Sequence, residues 1–175
     1  MNNNDVVAMR AINDAIKKRS LSGLAEAIQN HENYLTARTH LNAGGWLHVV
    51  AYGGWIDGAR LLLRKGVPIT DADRDGAMAI AAAADGGHSE MVEFLLEAGS
   101  PIDQSDQVKD PLFCAIVGRS PRAIKILLNA GANPLIEHKG NQLTLNSIGF
   151  ARYIGEEEIA DFITQSVEES ADKSA

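Results

Sequence analysis

Apolar residues recur along this chain in short bursts, each closed by glycine, rather than in one sustained helical period. Residues 73–103, DRDGAMAIAAAADGGHSEMVEFLLEAGSPID, hold the pattern complete. Asp73-Arg74-Asp75-Gly76 is a turn signal. A short run of small residues follows and predicts a helix over 79–84. Gly86-Gly87 breaks it. Met91, Phe94, Leu95 and Ala98 then fall at i, i+3, i+4 and i+7, one face of a second helix over 89–98. Gly99 ends that helix as a C-terminal cap.

The unit repeats. Moved back by 33 residues, Gly87 falls on Gly54, Gly99 on Gly66, Ile80 on Leu47 and Ala84 on Ala51. This predicts helices over 46–51 and 56–65. Moved forward by 32, Ala79 falls on Pro111, Leu95-Leu96 on Leu127-Leu128, and Gly99 on Gly131. Pro111 suits the first turn of a helix, where its missing N–H costs nothing. The ends are more worn. Helices over 13–18 and 21–29 form an N-terminal pair without the loop glycines, and 148–151 with 157–163 form a last pair. The region between the fourth and fifth pairs, 138–146, is longer by a few residues. Worn ends are physically reasonable, because a terminal repeat has one face without a neighbour.

The spacing of Asp-Gly, Ala-Ala, Gly-Gly-His, Glu-Met-Val, Leu-Leu and Ala-Gly resembles an ankyrin repeat, and Asp110-Pro111-Leu112-Phe113 looks like that family's Thr-Pro-Leu-His. The resemblance is strongest over 40–136 and covers nearly the whole chain. It implies an all-α solenoid of stacked helix pairs with short β-hairpin-like loops. We expect five repeats, at about 5–38, 39–71, 72–104, 105–136 and 137–168, in a single domain over 1–168, with a flexible, fraying tail over 169–175. It also implies that His48 and His88 hold the repeat's own loops by hydrogen bonds. A protein partner is expected on the concave face, made by hairpin tips and first helices. Carried over by position, that face is Leu41, Asn42, Gly44 and Tyr52, then Arg74, Asp75, Ala77 and Asp85, then Asp106, Gln107, Lys109 and Val117, then Lys139, Asn141 and Tyr153. Trp46, standing where the family has Pro, joins Tyr52 and Tyr153 as an apolar anchor, since Trp and Tyr are frequent interface hot spots. Trp55 stands where the family has His. The alternative for both tryptophans is that they fill the gap beneath the first repeat.

Composition narrows the picture. Of 175 residues, 45% are hydrophobic but only 5% aromatic, which suits helices packed through small side chains. The net charge of −7 argues against nucleic acid, whose phosphates need a Lys/Arg patch. Arg74 and Lys109 keep the concave face from being uniformly acidic, so strong electrostatic steering is not expected. Lys17-Lys18-Arg19, the one basic cluster, complements a helix end. No run approaches the roughly 20 apolar residues of a membrane span, and no apolar signal core follows Met1, so a cytoplasmic protein is expected.

Candidate chemistry is sparse. Cys114, the single cysteine, sits in an apolar run and reads as a buried small hydrophobe with no histidine brought near it. His31, His40 and His138 lie in or near loops with nothing to pair them. Asp71, Asp73 and Asp75 alternate, but Ala82 stands where a calcium loop needs its terminal Glu. Glu156-Glu157-Glu158 favours a helix N-terminus. The glycine pairs lack the Lys-Ser/Thr of a phosphate loop. No catalytic, metal or cofactor-binding residue is therefore assigned. The expectation is a non-enzymatic binding module, monomeric when alone, that inhibits one cytoplasmic protein. An immunity protein neutralising a toxin or effector is one form of it. The alternative is an adaptor, scaffold or regulatory subunit joining two proteins.

Overall fold

A computed structural model describes residues 3–37, 44–140 and 143–172. Five antiparallel helix pairs follow one another. They are α1 (Asn3–Lys17) with α2 (Leu21–Asn30), α3 (Trp46–Tyr52) with α4 (Ile56–Arg64), and α5 (Ala79–Asp85) with α6 (Ser89–Glu97). Then come α7 (Pro111–Val117) with α8 (Pro121–Asn129), and α9 (Ser147–Tyr153) with α10 (Glu157–Asp172). The starts are set locally. Ser20, Asp110, Ser120 and Asn146 each accept a hydrogen bond from a first-turn backbone N–H, satisfying a donor the helix cannot.

The second helices of the three central pairs end at Gly66, Gly99 and Gly131, all with φ between 91° and 96°. An added Cβ would meet nothing within 4 Å at any of them, so backbone conformation, not space, selects glycine there. At Gly118 the reason is the opposite: a Cβ would collide with the Ala84 carbonyl oxygen of the preceding repeat.

Short first helices form one layer, α3 on α5 on α7 on α9, and second helices form the other, with α4 following α2, α8 following α6, and α10 following α8. Between the layers runs one apolar core, from Ile12 and Leu24 through Leu47, Leu62, Ile80, Leu95, Ile116 and Leu127 to Ile163. Alanines 79, 83 and 84 are fully buried, which explains how seven-residue helices pack so closely.

The structure adds detail to three expectations. The hairpin arms are not uniform. Only β1 (His138–Lys139) and β2 (Thr144–Leu145) form a two-stranded pair among the described residues, while repeat three has a single Ala72–Met78 bridge. The Gln104 side chain supplies part of the missing ladder by pairing in both directions with the Asn133 backbone, at 2.8 and 3.2 Å. Second, α10 continues to Asp172, past 168, where a loose tail was expected. Its Thr164, Ser166 and Ser170 hydroxyls donate to carbonyls four residues back, which lets small polar residues sit in a helix. Third, α1 begins ten residues before the expected start, and Tyr34 donates to Asp5 Oδ1 at 2.6 Å to hold it.

Candidate concave binding face

The helix starts fix the register of the face. The N-terminal caps of α3, α5, α7 and α9 are Gly45, Met78, Asp110 and Asn146, spaced by 33, 32 and 36. Seven residues beyond each cap stand Tyr52, Asp85, Val117 and Tyr153, all exposed. Three residues earlier, on the same helical face, stand Val49, Ala82, Cys114 and Phe150, each half-buried. The face expected to be concave therefore carries a stripe of apolar side chains interrupted by one carboxylate.

At its C-terminal end the stripe opens into a groove of about 330 Å³ lined by Gln107, Phe113, His138, Leu143, Phe150 and Tyr153 among others. Phe113 stacks on Phe150 with centroids 4.7 Å apart and meets the edge of His138 at the same separation. His138 is not the unpaired loop histidine expected from the sequence. It is buried, and its Nε2 lies 2.9 Å from Asp110 Oδ2. Asp110 is wholly buried and also accepts from Leu112 N–H and the Gln104 amide. The carboxylate thus ties the last arm, the preceding loop and α7 into a rigid groove wall.

The expected face residues fall into distinct groups. Tyr52, Arg74, Asp75, Asp85, Lys139 and Tyr153 are exposed. Tyr153 is 68% exposed and Tyr52 52%. Gln107 and Lys109 are half-buried. Lys109 lies across Gly76 of the neighbouring arm, and its charge helps hold Asp103 below the usual carboxylate range, after the larger effect of the bonds Asp103 receives from Ser105. Leu41, Asn42 and Asn141 lie outside the described residues, as does His40.

Two assignments are overturned. Trp46 is only 2% exposed and its Nε1 donates to the Tyr34 carbonyl at 2.8 Å, so it plugs the junction with the first repeat instead of facing a partner. Trp55 is buried too. Ala77 is also buried. Its N–H donates to Asp73 Oδ1 and its carbonyl takes His48 Nε2 at 3.0 Å. His48 therefore holds a loop, but the loop of the next repeat and not that of its own. Asp73 Oδ1 receives Asp75 N–H as well, so this carboxylate organises its own turn.

Phe113, His138, Leu143, Leu145 and Phe150 were missed as a group. The signal was present in the 36-residue spacing between Asp110 and Asn146. It lengthens the last arm over α7 and leaves a gap that these side chains line.

Cys114 keeps some exposed surface, but its thiol is packed inside. Burial first, then the charges of Asp85, Asp110 and Asp73, push it up to about 12. That is the opposite of an activated nucleophile. Among the described residues, no three His, Cys, Asp or Glu side chains converge as metal ligands do.

A family model for ankyrin repeats in three copies matches residues 15–107 and again 47–138. The chain belongs to the ankyrin-repeat family. The all-α solenoid and its repeat frame are those of this ankyrin array, and ankyrin repeats indicate a protein–protein interaction module. No curated protein matches the chain. No helix among the described residues is long and apolar enough to cross a membrane.

Proposed function

We propose that this ankyrin protein is non-enzymatic and binds one cytoplasmic protein partner across its concave face, inhibiting it by covering the surface it docks on. The observation that carries this reading is the stripe from Tyr52 through Val117 to Tyr153, with the aromatic groove at its end. Exposed aromatic anchors beside an open, partly apolar groove, with exposed Arg74, Asp75 and Lys139 on the same expected face, give the usual energetic layout of an interface. A standard interface of about 1,600 Å² is within reach of such a face. The reading extends to an immunity protein, for which the partner is a toxin or effector domain. The free chain is monomeric in this reading.

The test is affinity capture from native lysate, with the Tyr52→Ala/Arg74→Ala/Tyr153→Ala chain as control. A single stoichiometric partner, lost with the control, is expected. Adding the chain to that partner at equal concentration should suppress the partner's activity. A partner that stays fully active when bound would sink the inhibitor reading and favour the adaptor. One retained by the control would move the interface to another face.

A further inference from the structure

Along the stripe of equivalent positions, one residue breaks the chemistry. Tyr52, Val117 and Tyr153 are large and apolar or amphipathic, whereas α5 ends in Asp85. The placement is unfavourable for an isolated protein. Asp85 is the last residue of its helix, where carbonyl oxygens already concentrate negative charge and a cation is favoured. Gly86-Gly87 follows and supplies no side chain to compensate. The Asp85 carboxylate makes no hydrogen bond or ion pair with any described residue, although Arg19, Arg119, Arg122 and Arg152 all find partners elsewhere. Asp85, Asp110 and Asp73 all act on the Cys114 thiol. Of these, Asp110 is matched by His138 and Gln104, and Asp73 by backbone N–H groups. Asp85 alone is left facing outward.

We infer that Asp85 is the charge-reading position of the concave face, and that the partner presents a Lys or Arg to it beside an apolar side chain that enters the Phe113–Phe150–Tyr153 groove. The inference rests on the concave-face reading above and names the partner's chemistry. Two features make the pair specific. Asp85 is partly desolvated where it sits, so a cation gains more there than on an open surface. Helix axes in such layers lie about 8–10 Å apart, which puts the groove one to two helices from Asp85, about 10–20 Å. A partner strand would cross that span in roughly 3–6 residues and a helix in roughly 7–13.

The test uses phage-displayed random 16-residue peptides selected on the full chain and counter-selected on Tyr153→Ala. Enriched peptides should carry Lys or Arg at one of those spacings from an aromatic or large aliphatic residue. Their synthetic versions should bind Asp85→Asn at least tenfold more weakly, and an Arg-to-citrulline peptide should lose as much on the native chain. Asp85→Lys should enrich acidic peptides instead. Because Asp85 has no intramolecular partner, Asn keeps the fold, which circular dichroism verifies. Tyr153-dependent peptides that lack a basic residue and bind Asp85→Asn equally well would overturn the inference while leaving the concave reading intact. Failure to enrich any Tyr153-dependent peptide would overturn both.

Discussion

Asp85 and Cys114 stand on neighbouring first helices, where the Asp85 charge reaches the Cys114 thiol, and each has a measurable consequence. The apolar surroundings hold the Asp85 carboxyl above its ordinary 3.8. A raised carboxyl pKa means the folded state binds the proton more tightly than the unfolded chain. Its favourable contribution is complete below the unfolded pKa and is lost as pH rises through the folded one. Asp85→Asn should therefore be no more stable than the native chain near pH 3, and slightly more stable at pH 7. The gain should stay under about 0.5 kcal/mol, because the group remains exposed. Urea midpoints at the two pH values check the sign, and a gain confined to acid pH would contradict it. The Cys114 thiol, held up near 12 mainly by burial, should react with a disulfide reagent at pH 8 far more slowly than a free thiol. In urea it should react at the ordinary rate. Equal rates in both would mean that the thiol is not packed as described. Residue types at these positions were legible in the sequence. Their surroundings were not, because Asp85 belongs to the third repeat and Cys114 and Asp110 to the fourth, and the two repeats meet only through stacking.

At the scale of elements, the loops between paired helices show what the repeat tolerates. Gly54, Gly87 and Gly155 hold left-handed φ between 65° and 83° after the first helix of their repeats, but Arg119 occupies the same place with φ 50°. Left-handed backbone costs a non-glycine residue about 1–2 kcal/mol. Arg119 sets against this an ion pair from Nε to Glu156 Oε1 at 2.6 Å, reaching into the next repeat. With its side chain largely in water, that pair is worth about 0–1 kcal/mol. The strain outweighs the pair, so Arg119→Gly should match or exceed the native stability. Arg119→Ala keeps the strain and loses the pair, and should fall below Arg119→Gly by about 1 kcal/mol. Thermal midpoints of the two variants decide it, and Ala at or above Gly would show the loop to be unstrained. Helix pairs were readable from glycine spacing and apolar periodicity, both local. The arms were not, because each closes with bonds to another repeat: His48 to Ala77, Gln104 to Asn133, His138 to Asp110.

The whole molecule is a stack in which each pair touches its neighbours, so cooperativity depends on every junction. The first junction is distinctive. There α2 packs on α4, and the indole of Trp46 fills the gap and bonds the Tyr34 carbonyl. The later junctions join first helix to first helix throughout. The first pair should therefore be the first to detach. Both tryptophans belong to the second repeat and are buried, so their fluorescence reports this end. In a urea titration the emission should shift to the red at lower denaturant than the loss of helical signal at 222 nm. Coincident curves would mean that the stack unfolds as one unit.

The sequence by itself determined the repeat frame, the helix pairs and the family, because these follow from short-range signals: apolar spacing, glycines that need a left-handed backbone, and caps one turn from their donors. It also placed Tyr52, Arg74, Asp75, Asp85, Lys139 and Tyr153 at positions that prove exposed. Tertiary structure alone decided which aromatic residues face outward. Trp46 turns inward because an atypical first repeat leaves a cavity that only a large side chain fills. The Phe113–Phe150 groove opens because four extra residues after repeat four carry a buried histidine back to Asp110. Both outcomes depend on how neighbouring repeats fit together, and that fit is a property of pairs of repeats that no single stretch of chain contains.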